Sequence, residues 1–477
     1  PRDERFPLEL AGLAYRAGHF DEARRSLRRT LEIAPADSYA NDFMATLFYL
    51  EGRTAAAVFF WNRNGEPTLQ TVDMQPDPSV DPVLLNRVIK AVPGGETLTL
   101  RTLNDSTALL DSLGLYSRIR PQLTPSDDDH FSLEFHLRRR SGIGDGWLAT
   151  TLAVLGDLPF QTLQAPFYNL DGAALNVLGS WRWDRHKERL QLEVTRPIVK
   201  QPEWRWRIST DFRREDWLLN PRYFAGKDGG TEFGLERDSL GVELTRLGGS
   251  RWSWTWRSGV TRRHHRSPVT EEALQERLIN GTSLEVGSGA AMMLVERPDR
   301  AFRLQLNGSA GMERILKDSH DLFGVLRGGF EIDWSLDEAQ EDWTIICQGS
   351  AGRLVGTAPF DELFTLGLDQ DHPEGMRAHI GTSEGIKGHS PMGEHFFLLR
   401  TQIEKRLVRI PLLEVRLSPF VDFGRANDGS SGPGSAGWLT DAGIEVKLVS
   451  VTGLSFNLSF GRDLRAGRNA VYAYSPR

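Results

Sequence analysis

From residue 158 to the C-terminus, apolar and polar side chains alternate with a period of two, in one segment after another. In 411–424 Leu413, Val415, Leu417, Val421 and Phe423 fall on one face, and Glu414, Arg416, Ser418, Phe420 and Asp422 on the other. In 452–461 Leu454, Phe456, Leu458 and Phe460 oppose Ser455, Asn457 and Ser459. Trp252, Trp254, Trp256 and Val260 oppose Ser253, Thr255 and Arg257, and Trp204, Trp206, Ile208 and Phe212 oppose Arg205, Arg207, Asp211 and Arg213. In 437–448 Trp438, Ala442, Ile444, Val446 and Leu448 oppose Asp441, Glu445 and Lys447. Such a pattern needs strands with one dry face and one wet face.

A soluble sandwich meets that need too. Two features favour a barrel in a membrane. The apolar face carries Trp and Phe near the segment ends, as an aromatic girdle does. The segments run ~10–14 residues, longer than the ~5–6 of ordinary strands and close to a tilted bilayer crossing. Sixteen segments fit: 159–169, 173–183, 188–198, 203–213, 217–224, 237–247, 251–262, 282–296, 301–312, 322–334, 341–352, 394–407, 412–424, 436–448, 452–462 and 469–475. The fifth lacks clean alternation. If the first strand rises from the periplasm, the long connections 263–281, 353–393 and 425–435 all follow odd strands. The connections 248–250, 297–300, 408–411 and 449–451 follow even ones and are short. Long outer loops and short periplasmic turns are the habit of such barrels.

Composition agrees with either setting. Of 477 residues 25% are charged and 39% hydrophobic, and the net charge is −7. Disorder is disfavoured, and nucleic acid is not an expected partner. The single cysteine, Cys347, excludes a disulfide framework and a Cys-based zinc site. No stretch approaches the ~18–20 apolar residues of a membrane helix. The chain opens Pro1-Arg2-Asp3-Glu4-Arg5 without an apolar leader. It therefore reads as a mature or trimmed chain, and the missing leader is no argument for the cytoplasm.

Residues 1–66 read as helices. Leu10, Leu13, Ala14, Phe20, Ala23, Leu27 and Leu31 recur at helical spacing, with a turn at 17–23 and a stop at Pro35. Gly18 to Gly52 and Ala23 to Ala57 are both 34 residues apart, so the segment resembles tetratricopeptide repeats. Two repeats are fewer than the roughly three usually needed. Either more lie upstream, or these helices pack on the next domain. A plain helical hairpin is the alternative. Residues 67–140 read as β-α-α-β-β: a strand at 68–74, a helix capped by Asp81, a helix over 102–113, and strands at 117–123 and 130–137. With Gly114-Leu115-Tyr116 after the second helix, this resembles a POTRA domain. Residues 141–477 complete the division as the barrel.

A POTRA-like module followed by a sixteen-strand barrel with its longest loop after strand eleven resembles the BamA/TamA/FhaC superfamily of outer-membrane assembly and secretion proteins. Asn169-Leu170-Asp171-Gly172 looks like that family's Asn-x-x-Gly turn, and Phe420-Val421-Asp422-Phe423-Gly424 like its Phe-x-Asp-x-Gly. In the long loop Gly375-Met376-Arg377-Ala378-His379 stands where the family has Val-Arg-Gly-Phe/Tyr. Arg377 is kept, Ala378 replaces Gly and His379 the aromatic, which indicates a divergent subfamily.

The resemblance implies a mainly β, 16-stranded transmembrane antiparallel barrel in the Gram-negative outer membrane, with periplasmic N-terminal domains. It implies assembly, insertion or translocation of proteins through a lateral seam between the first and last strands. Thr162, Asn169, Gly172, Ala470 and Tyr472 belong to those strands and their turn. Ala470 and Ser475 give the last strand a weak, small-residue character. Arg377 would be held in the lumen by Asp422, Asp441 and Glu445, which alternation turns inward. The implied partners are the bilayer, unfolded or nascent outer-membrane clients, and a periplasmic partner at the N-terminal helices. No cofactor, metal or hydrolysis is needed.

Two other readings stand beside it. One is a passive or dedicated channel with loop 353–393 as its plug. The other is a lipid hydrolase, because Gly381-Thr382-Ser383-Glu384-Gly385 matches G-x-S-x-G, although a nucleophile elbow needs a strand before it and a helix after. His264, His265 and His130 read as solvated loop histidines, the last beside Asp127, Asp128 and Asp129. Asn280 and Asn307 fit a glycosylation pattern without meaning in this setting, and 425–435 has a flexible linker's composition.

Overall fold

The computed structural model describes residues 3–74, 78–127, 130–140, 142, 158–220, 231–266, 275–316, 322–336, 342–410, 413–427, 437–450 and 455–474. It divides into two compact units, Pro1–Arg139 with Glu296–Phe302, and Arg140–Val295 with Arg303–Arg477.

The first unit opens with two helical hairpins, α1 (Arg5–Arg16) with α2 (Phe20–Ile33) and α3 (Ser38–Leu50) with α4 (Thr54–Trp61). Gly18 and Gly52 sit at the two turns with φ of 77° and 72°, a conformation that side chains with a Cβ resist. Asp37 caps α3 by accepting from the Ala40 amide at 2.7 Å. The small residues of the 34-residue repeat, Ala23 and Ala57, are both fully buried. The helices pack on the α+β module next along the chain: Thr54 Oγ1 donates to the Pro121 carbonyl at 2.9 Å, and the rings of Trp61 and Phe131 are 5.2 Å apart.

That module comprises β1 (Thr68–Met74), α5 (Pro82–Val88), β2 (Glu96–Thr97), α6 (Leu100–Ser112), β3 (Tyr116–Asp127) and β4 (His130–Arg139). The sheet order is β2-β1-β4-β3, with β1 and β4 parallel. The β-α-α-β-β reading therefore stands with one addition, the short β2 before the second helix. Asp81 caps α5 through the Val83 amide, and Thr99 caps α6 through the Thr102 amide.

The second unit is built on wall strands of 6 to 19 residues. They are β5 (Thr162–Phe167), β6 (Asn176–Asp184), β7 (Lys187–Ile198), β8 (Gln201–Leu219), β9 (Thr231–Leu247), β10 (Trp252–Arg266), β11 (Gly281–Arg297), β12 (Phe302–Ile315), β13 (Leu322–Ser335) and β14 (Trp343–Val355). The long connection 356–394 holds β15 (Phe364–Thr365), β16 (Gly367–Leu368), β17 (Met376–Ile380), β18 (Thr382–Ser383), β19 (Ile386–Lys387) and β20 (Met392–Gly393). The wall resumes with β21 (His395–Ile410), β22 (Leu413–Asn427), β23 (Leu439–Ser450), β24 (Ser455–Asp463) and β25 (Arg468–Tyr474). The sheet order closes into a barrel, and β21 pairs directly with β14 across the long connection.

The alternation reads out as two faces. Trp252, Trp254, Trp256 and Val260 are exposed on the outside, as are Val421, Ile444 and Phe460. Asp422, Asp441, Glu445 and Ser459 are buried on the inside. Leu454, Ser475 and residues 428–435 lie outside the described residues.

Two expectations are corrected. The segment 203–213 and the start of the next, Trp217–Leu219, are one strand, β8, paired with β9 without a break from Trp204↔Arg246 to Leu219↔Thr231. The described wall thus has fifteen strands. Merging two strands into one also reverses the direction of everything before them. β5 runs toward the end where Ile198, Leu247 and Ile410 close their strands, not away from it. Direction alternates along the wall, so β5 and β25 run the same way and do not form an antiparallel pair with one another. The sorting of connections by length survives: the strand ends that flank 267–280, 356–394 and 428–438 share the opposite end.

Candidate functional site

The connection 356–394 is folded into the barrel and fixed to its wall on several sides. At its centre β17 carries Arg377, whose side chain has no exposed surface. The Arg377 backbone amide and Nε both donate to Asp422 Oδ2, at 2.9 and 3.0 Å, and Nη2 donates to Oδ1 at 2.6 Å. The guanidinium carbon lies 3.8 Å from the centre of the Phe420 ring. This is a fork matched to a carboxylate in a dry setting, stacked on an aromatic face.

The other two expected carboxylates do not meet the guanidinium. Its remaining nitrogen, Nη1, turns to Gln402 Oε1 on β21 at 2.5 Å, away from β23. Asp441 instead accepts from the Ala378 amide at 2.7 Å and faces His379, and Glu445 accepts from Tyr474 Oη at 2.7 Å.

The tip also explains how Ala378 fits where the resembled motif has glycine. A Cβ on Gly461 of β24 would lie 2.9 Å from the Arg377 carbonyl oxygen and 3.0 Å from Ala378 Cβ. The glycine on the wall makes room for the methyl on the loop.

Sequence reasoning did not find the remaining fixing points. Asp361 and Glu362 meet Arg263 of β10, with Arg263 Nε to Asp361 at 2.9 Å and Nη2 to Glu362 at 2.5 Å. Arg237 of β9 pairs with the same Glu362 at 2.8 Å. Asp371 accepts from Arg182 at 2.8 Å and Arg189 at 2.6 Å, with Lys187 Nζ at 3.2 Å. Lys387 Nζ donates to Glu215 of β8 at 2.6 Å. Burial by itself would raise the Asp361 carboxyl, but Arg263 and Arg237 bring it down to about 2. Asp371 is likewise raised by burial and held well below the usual range by Lys187, Lys387, Arg189 and Arg182. Loop carboxylates are common in sequence, and nothing in their spacing marks which ones find arginines on distant strands.

A dry cluster completes the attachment. Trp217, Leu219, Phe233 and Leu235 turn inward at the long-loop end and pack with Phe360, Leu363, Phe364 and Met392. Trp217 and Phe233 are stacked at 6.1 Å, and Phe360 stands edge-on to each at 5.2 Å. The failure of alternation at 217–224 was its signature: the inner face turns apolar where it receives the loop.

The remaining candidates have ordinary places. Thr162 is buried in β5 and accepts from Arg182 Nε at 3.3 Å. Asn169 and Gly172 form the turn to β6 with φ of 58° and 75°, and Asn169 Oδ1 accepts from the Ala174 amide. Ala470 and Tyr472 pair with Gly461 and Ser459 of β24. Ser383 is exposed on the β18–β19 hairpin, strand-turn-strand rather than strand-turn-helix, so no nucleophile elbow is present there. His265 is not a solvated loop residue. It is buried on the inner face of β10, with Nδ1 3.0 Å from Asn280 Oδ1.

No protein-family profile and no curated protein sequence matches the chain. Solved structures do. CdiB from Escherichia coli matches with 15% identity and a TM-score of 0.55, over 86% of this chain and 76% of that one. BamA from Haemophilus ducreyi, in a form lacking POTRA domains 1–3, matches with 13% identity and a TM-score of 0.50, over 85% of this chain and 82% of that one. The chain has the fold of CdiB and BamA. At these identities the BamA and CdiB likeness is one of architecture, and at that level it agrees with the barrel resemblance read from the sequence.

Proposed function

We propose that the chain is an outer-membrane barrel of the BamA/TamA/FhaC superfamily that assembles or translocates proteins. The observation that most favours this reading is the loop 356–394. It lies inside a barrel with the fold of BamA and CdiB and is fixed by Asp361, Asp371, Arg377 and Lys387 to different wall strands. With the loop held in the bore, strand edges offer a surface for an unfolded chain, and an edge can template an incoming strand through main-chain hydrogen bonds.

In this reading Arg377 and Asp422 are the latch, and Asp441 and Glu445 line its pocket. The lateral seam lies where the wall begins and ends. Its strands β5 and β25, bearing Thr162, Ala470 and Tyr472, are the two shortest of the described wall at 6 and 7 residues. Asn169 and Gly172 set the turn after β5. The first unit is periplasmic, its β3 edge serves as a POTRA-like docking strand, and its helices receive a partner. The exposed Trp, Leu and Val of the outer face meet the bilayer.

A second reading, a gated or dedicated channel, has one observation in its favour. A cavity of about 530 Å³ remains between Asp361–Thr365 and the wall residues Arg257, Glu285 and Arg327. Reconstitution separates the two. Liposomes containing the chain should speed the folding of an unfolded outer-membrane barrel protein over empty liposomes. No acceleration together with a steady ion conductance would favour the channel.

A further inference from the structure

His379, Asp441 and Asp463 stand together behind the latch, on the loop, β23 and β24. One donor atom from each lies within 4.8 Å of the others, and all three residues are buried. The carboxylates are held from behind. Asp441 Oδ2 accepts from the Ala378 amide at 2.7 Å, and Asp463 Oδ1 accepts from the Arg465 and Ala466 amides at 2.9 and 3.1 Å. Their other oxygens face the imidazole, Asp441 Oδ1 3.0 Å from Nδ1 and Asp463 Oδ2 3.6 Å from Nε2.

Nδ1 already lies between the two Asp441 oxygens, 3.0 Å from Oδ1 and 3.1 Å from Oδ2, whereas His379 Nε2 is buried without a hydrogen-bond partner. The His379 side chain is only 3% exposed. An orphaned buried ring nitrogen carries a desolvation cost. Charge is also out of balance. Two carboxylates face one imidazole, while Arg377 is committed to Asp422 and Gln402. A neutral imidazole and two carboxylates balance one divalent cation. Their N and O donors suit a borderline ion such as Zn²⁺, whose bonds of about 2.0–2.2 Å place neighbouring donors roughly 3–3.5 Å apart. The backbone amides behind each carboxylate supply the outer shell that aims metal ligands.

We propose that His379, Asp441 and Asp463 form a binding site for a single divalent transition-metal ion, which ties the loop tip to β23 and β24. The site stands whatever the barrel carries, because it rests on this donor set alone.

The test uses the full chain in detergent, with any affinity tag removed and metal stripped by chelation. Titration with Co²⁺ should reach one equivalent, with visible d–d absorption that Zn²⁺ then abolishes, and either ion should raise the melting temperature. Asp463→Asn keeps the acceptor for the Arg465 and Ala466 amides, and should lose the absorption while melting like the stripped wild type. His379→Gln should behave the same way, and His19→Ala, on the exposed helix turn, should bind normally. Absence of a one-equivalent step, or binding that persists in Asp463→Asn or His379→Gln, overturns the proposal.

Discussion

The Arg377 guanidinium and the Asp422 carboxylate meet at 2.6 and 3.0 Å with neither side chain exposing any surface. Removing one partner leaves the other charged and buried, which costs about 3–5 kcal/mol in typical cases. Arg377→Ala and Asp422→Ala should each lower the melting temperature and open the loop to protease. The double substitution Arg377→Met/Asp422→Leu should be less damaging than the sum of the singles. Thermal melts and limited proteolysis in detergent check both outcomes.

The close approach at Gly461 gives a finer probe. In Gly461→Ala the added methyl meets the Arg377 carbonyl and Ala378, so the tip must shift and proteolysis within 376–380 should increase. Gly308→Ala is the control, since its Cβ would meet nothing nearer than 3.8 Å.

The dry cluster predicts an asymmetry between tryptophans. Trp217 is buried between Phe233 and Phe360, whereas Trp254 is 42% exposed on the outer face. Trp217→Ala should cost about 3–5 kcal/mol, as a large core truncation does. Trp254→Ala should cost clearly less in the same denaturation series.

Acid should act late. The Asp361 carboxyl is depressed from 3.8 to about 2, so its pairing with Arg263 stabilises the folded loop fully above about pH 4. That contribution is lost as pH falls from about 4 toward 2. A melting-temperature series should be flat with respect to this group from pH 7 to 5 and fall below 4. Asp361→Asn should lower the plateau and flatten the fall.

Much of this was legible in the sequence. Period-two alternation gave the barrel because each wall strand has a wet and a dry side, and the lumen placement of Asp422, Asp441 and Glu445 followed from parity alone. Arg377 was legible through its motif. The pairing was less so: parity says which way Glu445 points, but Tyr474 and Gln402 compete for the same donors and acceptors. The merged β8 was misread for a physical reason. Where Trp217 and Leu219 face the loop instead of water, the inner face is apolar and the alternation disappears. The Asp361–Arg263 and Asp371–Arg189 pairs join residues 98 and 182 positions apart, which no local spacing encodes.

The most direct measurement of the account is quantitative proteomics of the outer membrane and the culture medium after depletion of this chain in its native host. Restoration with wild type and with Asp422→Asn gives the internal comparison. Assembly or translocation predicts that a set of outer-membrane barrels, or one secreted protein, falls on depletion, recovers with wild type, and recovers less with Asp422→Asn. Unchanged protein levels in both compartments would contradict it.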